Sequence, residues 1–427
     1  MSGSIVIRAR WILPSATAAL ENGWVAIDRG RIVALGRRER PAGAVDLGDA
    51  VILPGLVNAH THLEFSDIPA PLDASGGLPG WISRVVGLRR ARPPGVGESH
   101  RLRAALQAGL EESLRHGVTT LGDVATAVPH GGYPSPGPRV RMFREALGLA
   151  FEGRHPPGAV CRDLDRFGPL AGISPHAAHT VSAPLGRALL DEAARRRLPA
   201  TMHLAESREE LAFVADGDGP FRDLFARLGA WPADRRAALL PPSHWIGRLA
   251  RLPRASVVHG TFLGEHPDDR SLERLARHRD RVAVIVCPRT CRHLSGVLPP
   301  VRRFLDAGIR VAIGTDGRGS NPDLSPLAEA RTLVSAGVVG PREAFRMVTL
   351  DAAWALWLEG VAGRIAAGRG ADLVVVRPDV LRGDPWEAIL DPGAGVEAVL
   401  RRGRLLHGGL DRRAPTVTAG SSRSGSR

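Results

Sequence analysis

The chain has 427 residues, of which 44% are hydrophobic, and its formal net charge at pH 7 is +13. This length and apolar content exclude a disordered protein and predict one sizeable domain with a smaller one beside it. All 57 basic residues are arginines scattered along the chain, so the charge reflects a compositional bias and does not predict a nucleic-acid-binding surface.

The cysteine pattern and the hydropathy indicate in which cellular compartment the protein is located. Cys161, Cys287 and Cys291 form an odd count without a disulfide framework. Cys287 and Cys291 also lack the paired partners that a zinc-binding cysteine motif needs. Residues 1–20 lack the features of a signal peptide, and no run of about 18 apolar residues predicts a membrane span. We therefore expect a cytoplasmic protein without a membrane anchor.

The first part of the chain reads as a small β-sheet module. Residues 3–52 contain short alternating strands, and turns are predicted at Asn22-Gly23 and Arg29-Gly30. We assign residues 1–53 to this module.

From residue 54 onward, strands alternate with helical stretches, which is the pattern of a parallel β/α unit. Eight strands are predicted, and eight is the number that closes a TIM-type (β/α)8 barrel, here over residues 54–358. The strands are expected to end near His62, Asp123, Leu147, His176, Glu206, Gly260, Pro288 and Asp316. The predicted helices are Glu98–Arg115, Leu185–Arg197, Asp269–Arg277, Pro299–Ala307 and Arg342–Trp357.

The remaining segments are short strands, a tail and two insertions. Residues 359–410 return to short strands, and residues 411–427 have almost no apolar content and are predicted to be disordered. Two Pro/Gly-rich insertions, 69–97 and 129–138, follow the first two barrel strands. They are interpreted either as lids over the barrel mouth or as ordinary surface loops.

Four predicted barrel strands end on residues that bind metals or transfer protons. His60-Thr-His62 places two imidazoles on one face of a strand, because residues i and i+2 point the same way. Later strands end on His203 with Glu206 three residues on, on His259, and on Asp316. A parallel barrel gathers the carboxyl ends of its strands around one rim. The sequence therefore predicts that these side chains meet there.

The order of these motifs resembles the amidohydrolase superfamily, and in particular its mononuclear, metal-dependent deaminase branch. The resemblance extends over residues 3–410. It implies that residues 359–410 complete the N-terminal sheet as a composite, sandwich-like domain. His60, His62, His203 and Asp316 would hold one divalent ion, with zinc expected and iron or manganese open. Binuclear relatives bridge two metals with a carboxylated lysine, and this chain has no lysine.

The resemblance also assigns catalytic roles. Glu206 would act as the general acid/base, while His259 and Asp316 would orient the water and stabilise the tetrahedral state. His176, in Ser174-Pro-His-Ala, would line the substrate pocket, and Glu64 and Glu145 are further substrate-binding candidates. His179 stands where the family more often has an aromatic residue, and we expect it at the surface.

The string His60-Thr-His-Leu-Glu-Phe-Ser66 resembles the aminodeoxyfutalosine deaminase group of the alternative menaquinone pathway. Two positions depart from the family pattern. Relatives tend to have histidine at the position of Cys291, which His293 could replace, and a serine commonly follows the last aspartate, where this chain has Gly317.

Other functions on the same ligand set stay open at this point. They are deamination of 5′-thioadenosine, S-adenosylhomocysteine, guanine or cytosine, hydrolysis of triazines, and a non-catalytic scaffold. Small molecules are the expected partners, and a homodimer is a family expectation.

Overall fold

The computed structural model describes residues 4–38, 41–91, 96–126, 131–148, 157–230, 239–265 and 269–410. The tail predicted to be disordered, 411–427, lies outside the described residues, as do small parts of both insertions. In the described chain, two eight-stranded sheets carry the fold.

The elements are as follows. The strands are β1 (Ile5–Ser15), β2 (Ala18–Asp28), β3 (Arg31–Arg37), β4 (Val45–Asp46), β5 (Val51–Pro54), β6 (Leu56–Thr61), β7 (Val118–Ala125), β8 (Arg139–Ala146), β9 (Ala171–Pro175), β10 (Ala200–Leu204), β11 (Ala255–His259), β12 (Val282–Val286), β13 (Val311–Ile313), β14 (Leu373–Arg377), β15 (Gly395–Arg401) and β16 (Arg404–Gly408). The helices are α1 (Gly77–Ala91), α2 (Val96–Arg115), α3 (Pro157–Phe167), α4 (Ala183–Arg196), α5 (Arg208–Asp216), α6 (Pro220–Arg227), α7 (Pro242–Leu249), α8 (Ser271–Arg277), α9 (Pro288–Ser295), α10 (Val301–Asp306), α11 (Pro326–Ser335), α12 (Pro341–Met347), α13 (Leu350–Ala355) and α14 (Pro385–Ala388).

The first sheet is mixed and joins both ends of the described chain. Its strand order is β16-β15-β14-β5-β1-β2-β3, with β4 beside β1. The predicted Asn22-Gly23 turn is wrong, because both residues lie inside β2 and the turn falls between β1 and β2 at residues 16–17. Gly23 allows the Ile12 side chain to pack closely against the backbone of β2, since a Cβ at this position would lie 2.8 Å from Cγ1 of Ile12.

One apolar run, residues 50–59, serves both sheets. Its first part forms β5 of the mixed sheet, antiparallel to β14, and its second part forms β6, the first barrel strand. Gly55 joins them, and a Cβ there would lie 2.0 Å from Oγ1 of Thr119. The chain therefore crosses between sheets where only glycine fits.

The second sheet is the predicted barrel. Strands β6 to β13 lie in chain order and all pair in parallel. Hydrogen bonds link the last strand to the first: the Thr315 amide donates to the His60 carbonyl at 3.0 Å, and Asn58 Nδ2 donates to Thr315 Oγ1 at 2.7 Å. The fold prediction is confirmed, and the strand ends lie within about three residues of the predicted positions.

Two predicted segments differ in detail. The helix predicted over 342–357 is two helices, α12 and α13, because the Val348 carbonyl accepts a hydrogen bond from Val57 on β6 and the helix breaks there. Insertion 69–97 contains α1, so it is not simply a surface loop. Among the described helices, none is both long enough and apolar enough to cross a membrane.

Candidate metal centre and active site

Three histidines meet at the carboxyl-terminal mouth of the barrel. His60 is the last residue but one of β6, His62 lies just beyond that strand, and His203 lies near the end of β10. One ligand atom from each ring lies within 4.8 Å of the others, and all three side chains are buried. Gly314 allows the approach of the last strand, because a Cβ there would lie 2.7 Å from the His60 Cβ.

Asp316 adds a carboxylate to this cluster. Its Oδ1 lies 3.6 Å from Nε2 of both His60 and His62. Burial raises the pKa of Asp316, but the neighbouring imidazoles, His60 foremost, outweigh that effect and hold it below its usual value. The carboxylate therefore stays ionised beside the histidines.

The donor set fits a divalent ion. Nε2 of His60 is buried and has no hydrogen-bond partner among the described residues. Nδ1 of His203 donates to the His176 carbonyl at 2.9 Å, which leaves its Nε2 for an ion. Burial lowers the pKa of both histidines, favouring the neutral form that binds metals. Three imidazole nitrogens and one carboxylate form a zinc-type set.

A second group of metal-binding side chains overlaps the first. Glu145, His176 and His203 also offer ligand atoms within 4.8 Å of one another. His203 has one nitrogen left after its bond to the His176 carbonyl, so it cannot serve two ions. The overlap favours one ion.

Glu206 and His259 stand beside this cluster. Oε1 of Glu206 lies 3.4 Å from Nε2 of His259. Burial, and then the charge of Asp316, raise the pKa of Glu206 well above its usual value. Burial lowers the pKa of His259 to about 3. A carboxylate with a raised pKa next to a neutral imidazole can accept a proton and then donate it.

The strand ends that present these groups have unusual backbone conformations. Ala205, His259 and Asp316 have φ values of 53°, 64° and 54°, in the left-handed region that non-glycine residues rarely adopt. Such residues cost roughly 1–3 kcal/mol each and persist only where the surrounding structure fixes them. The kinks turn the chain at three strand ends around the site.

A cavity of 720 Å³ opens above the cluster. All three sequence-predicted substrate residues line it: Glu64, Glu145 and His176. Glu64 Oε1 accepts hydrogen bonds from Arg89 at 2.9 Å and from Thr126 at 3.2 Å. Helix α1, from the first insertion, forms one wall. Its lining residues are Leu78, Trp81, Ile82, Val85, Val86, Arg89 and Arg90.

Glu145 and His176 lie close to each other on the wall of this cavity. Glu145 is buried, and its Oε1 has no hydrogen-bond partner among the described residues. It lies 3.9 Å from Nε2 of His176, while Nδ1 of that ring contacts the Thr180 hydroxyl. Burial lowers the pKa of His176 well below its usual value. A ligand can therefore meet a carboxyl oxygen and an imidazole nitrogen side by side.

The prediction that His179 lies at the surface is wrong. Its side chain is buried, its ring lies 4.4 Å from that of Phe221, and its Nδ1 is 3.7 Å from Oε1 of Glu210. Aromatic residues of α6 cover it. The sequence could not show that cover, because α6 packs on the site only in three dimensions.

The two departures from the family pattern have structural consequences. Ser320, four residues after Asp316, donates its hydroxyl hydrogen bond to Asp316 Oδ2, so this bond does not depend on a hydroxyl at Gly317. His293 does not replace Cys291 in the site, because its Nε2 contacts the Leu72 carbonyl at 2.8 Å. Burial raises the pKa of Cys291 to about 11, which keeps this thiol protonated.

Ser320, helix α1 and Glu210 were not among the predicted site residues. Glu210 had a local signal, because Ser207-Arg-Glu-Glu210 is a capping-box pattern. Ser320 had none, since it does not sit at the end of a predicted strand, whereas α1 lies in insertion 69–97, one interpretation of which was a lid over the barrel mouth.

Residues 51–406 match the amidohydrolase family. The chain belongs to this family. The prediction of an amidohydrolase enzyme is thereby confirmed, and the family's metal dependence agrees with the donor set described above.

The chain is similar in sequence to two deaminases. A 5-methylthioadenosine/S-adenosylhomocysteine deaminase from Moorella thermoacetica is 29% identical over 438 residues, covering 95% of this chain and 94% of the relative. An aminodeoxyfutalosine deaminase from Deinococcus radiodurans is 33% identical over 344 residues, covering 71% of this chain and 75% of the relative.

Solved structures share the fold. The Helicobacter pylori aminofutalosine deaminase in complex with methylthio-coformycin has a TM-score of 0.80 and 23% identity, covering 94% of this chain and 100% of that chain. An adenosine deaminase from Xanthomonas campestris with bound zinc has a TM-score of 0.71 and 25% identity, covering 94% and 92%.

Proposed function

We propose that this amidohydrolase deaminates an adenosine-type nucleoside by hydrolysis, with aminodeoxyfutalosine as the preferred substrate. The observation that supports deamination is the pair of Glu206 and His259, at 3.4 Å, beside the cluster of His60, His62, His203 and Asp316. A general acid/base thus stands next to a metal site at the floor of a closed-in cavity.

A divalent ion held by the histidines and Asp316 would supply Lewis acidity, lowering the pKa of a water so that it can attack near neutral pH. Glu206 takes a proton from the attacking water and delivers it to the ring nitrogen next to the amino-bearing carbon. His259 and Asp316 hold the developing tetrahedral centre in place by hydrogen bonding. The hydroxyl proton left on the tetrahedral centre then passes through Glu206 to the amino group, the bond from this carbon to the amino nitrogen breaks, and ammonia leaves as the carbonyl forms.

The side chains that line the cavity favour a nucleoside with a long 5′ substituent as the substrate. Glu145 and His176 offer ligand atoms within 4.8 Å of that of His203, where they would contact the base, and Glu64, also on the cavity wall, would accept hydrogen bonds from ribose hydroxyls. Helix α1 adds Trp81, an apolar stretch, Arg89 and Arg90 to the cavity wall, and Arg89 lies 2.9 Å from Glu64. An aromatic ring that carries a carboxylate, as in aminodeoxyfutalosine, matches this combination of apolar and cationic side chains.

A second candidate is deamination of 5-methylthioadenosine or S-adenosylhomocysteine. The Moorella relative, which aligns over 95% of this chain, supports it. Methylthioadenosine has no anionic group for the arginines. S-adenosylhomocysteine carries a carboxylate, which Arg90 could bind, and also an ammonium group, for which Glu64 is the acidic candidate on the cavity wall. Arg89 already pairs with Glu64, so the ammonium group would have to compete with it.

The experiment is ammonia release by the metal-replete enzyme with aminodeoxyfutalosine, methylthioadenosine, S-adenosylhomocysteine and adenosine in parallel. We expect kcat/KM for aminodeoxyfutalosine to exceed the others by about tenfold or more, since one well-placed charged contact is worth this much. A higher value for either thioether would reassign the substrate while keeping the chemistry. Failure to release ammonia from any of them, with metal bound, would support the scaffold alternative.

The preferred substrate would place the enzyme in the alternative menaquinone route. The proposed ion is zinc, with iron and manganese as alternatives, and elemental analysis of the purified protein decides among them. The cytoplasmic location and the homodimer stay predictions.

A further inference from the structure

Glu210 is a fully buried carboxylate that the chemistry above does not use. It is the third residue of α5, and Ser207 caps that helix by accepting a hydrogen bond from the Glu210 amide at 3.1 Å. In the usual capping box, the glutamate would return the bond to the Ser207 amide. Here its carboxylate reaches farther back along the chain.

The two oxygens of Glu210 bind two consecutive backbone amides. Oε1 accepts from the Ala205 amide at 3.1 Å, and Oε2 accepts from the Glu206 amide at 2.9 Å. One side chain therefore fixes the peptide groups on both sides of the Ala205 Cα. This is the residue with the left-handed φ of 53°.

The clamped segment carries the proposed general acid/base. A left-handed alanine is intrinsically unfavourable and relaxes unless other groups hold it. A second hydrogen bond, from the Phe262 amide to the Ala205 carbonyl at 3.0 Å, supports the same turn from β11's side. Because Glu206 follows Ala205 directly, the geometry of this turn sets the direction in which its side chain leaves the backbone.

The electrostatic setting of Glu210 argues against a role in stability alone. Burying a carboxylate without a cation is costly, and among the described residues no arginine pairs with it. The two amides and the amino-terminal end of α5 stabilise its charge, and Nδ1 of His179 lies 3.7 Å from its Oε1. A neutral residue would fill this space at lower cost if only packing mattered.

We propose that Glu210 is a positioning residue that holds the Ala205-Glu206 turn and thereby aims the Glu206 carboxyl at the space beside His259. The proposal rests on the proposed function, in which Glu206 transfers protons. It assigns Glu210 no contact with substrate.

The test uses two variants of Glu210 and a matched control in the full-length, metal-replete enzyme. Glu210→Gln keeps the shape and one acceptor oxygen but sets an NH2 group against the other amide. Glu210→Met keeps the length and removes both acceptors. The control is Glu209→Gln, which removes the same charge from the neighbouring position of α5, where the side chain is half-exposed.

We expect kcat to fall about tenfold in Glu210→Gln and about a hundredfold in Glu210→Met, since a misplacement on the order of 1 Å has effects of this size. KM and metal content should stay within about threefold of wild type, because Glu210 neither lines the cavity nor belongs to the proposed metal ligands. Glu209→Gln should match wild type in all three.

A merely structural role would lower the melting temperature of the variants without changing kcat per metal-replete molecule. A folded Glu210→Met enzyme with kcat within about twofold of wild type would therefore overturn the proposal. If Glu210→Met does not fold, the same result for Glu210→Gln overturns it. Glu206→Gln, assayed in parallel, distinguishes failure of the Glu210 proposal from failure of the proposed function. If Glu206→Gln keeps its activity, the proposed function itself is contradicted, whatever the Glu210 variants show.

Discussion

The barrel mouth and the mixed sheet use left-handed backbone differently. In the sheet, Arg29 and Arg402 have φ values of 45° and 49°, and both are exposed residues in hairpin turns followed by a glycine. At the mouth, Ala205, His259 and Asp316 have the same conformation, but they are buried. Turns of the first kind connect strands, whereas the kinks at the mouth direct side chains into one cavity.

The two regions also arrange their charges differently. On the sheet, opposite charges pair, as in Arg377 with Glu397 at 2.8 Å and Arg8 with Asp46 at 3.0 Å. At the mouth, one nitrogen of each of three imidazoles lies within 4.8 Å of the others, and Nε2 of His60 has no hydrogen-bond partner among the described residues. A buried polar atom without a partner is unfavourable unless a ligand binds it. The barrel mouth is therefore the region where the fold contains locally unfavourable contacts, and mutations in the two regions can test this difference.

The largest expected effect is that of Glu206→Gln. Loss of the proton-transferring carboxyl should lower kcat by about 10³-fold or more while metal stays bound, since general acid/base catalysis contributes this much. Steady-state ammonia release with elemental analysis measures both. The control is Glu397→Gln on the sheet, which should keep wild-type kcat. Near-wild-type turnover of metal-replete Glu206→Gln would refute the acid/base assignment.

The next largest effect is that of His203→Ala. Removing one of three imidazoles should abolish stoichiometric metal binding and lower the unfolding free energy in zinc-containing buffer by about 3 kcal/mol, because a ligand that binds the native state stabilises it. Denaturant titration and elemental analysis measure these quantities. His407→Ala on β16 is the control and should keep its metal. Full metal content in His203→Ala would contradict the ligand role.

The smallest expected effect is that of replacing a left-handed residue with glycine, once at the barrel mouth and once in the mixed sheet. Glycine relieves about 1–2 kcal/mol of strain there, and its greater freedom in the unfolded chain offsets about 0.5–1 kcal/mol. Ala205→Gly and Arg402→Gly should therefore both raise the unfolding free energy by about 0.5 kcal/mol. Only Ala205→Gly should lower kcat, by several-fold, because the turn before Glu206 gains freedom. Equal kcat in both variants would remove the functional difference between the two regions.

Much of the architecture follows from local pattern. The alternation of apolar strands and helices predicted the barrel, and the candidate metal ligands could be named because each follows an apolar strand. The errors fall where distant segments decide. The Asn22-Gly23 turn failed because Ile12 approaches Gly23, and the break between α12 and α13 follows from a bond to Val57 on β6.

The sequence by itself determined the barrel, the order of its strands and the residue types at their carboxyl ends, because periodicity and strand direction are local properties of the chain. Only the tertiary structure decided that α1 walls the cavity, that His179 is buried under α6, and that Glu210 binds the Ala205 and Glu206 amides. These outcomes depend on the packing of separate elements and on how buried polar groups find partners. Neither the packing nor the pairing of buried polar groups produces a periodic pattern in the sequence from which it could be predicted.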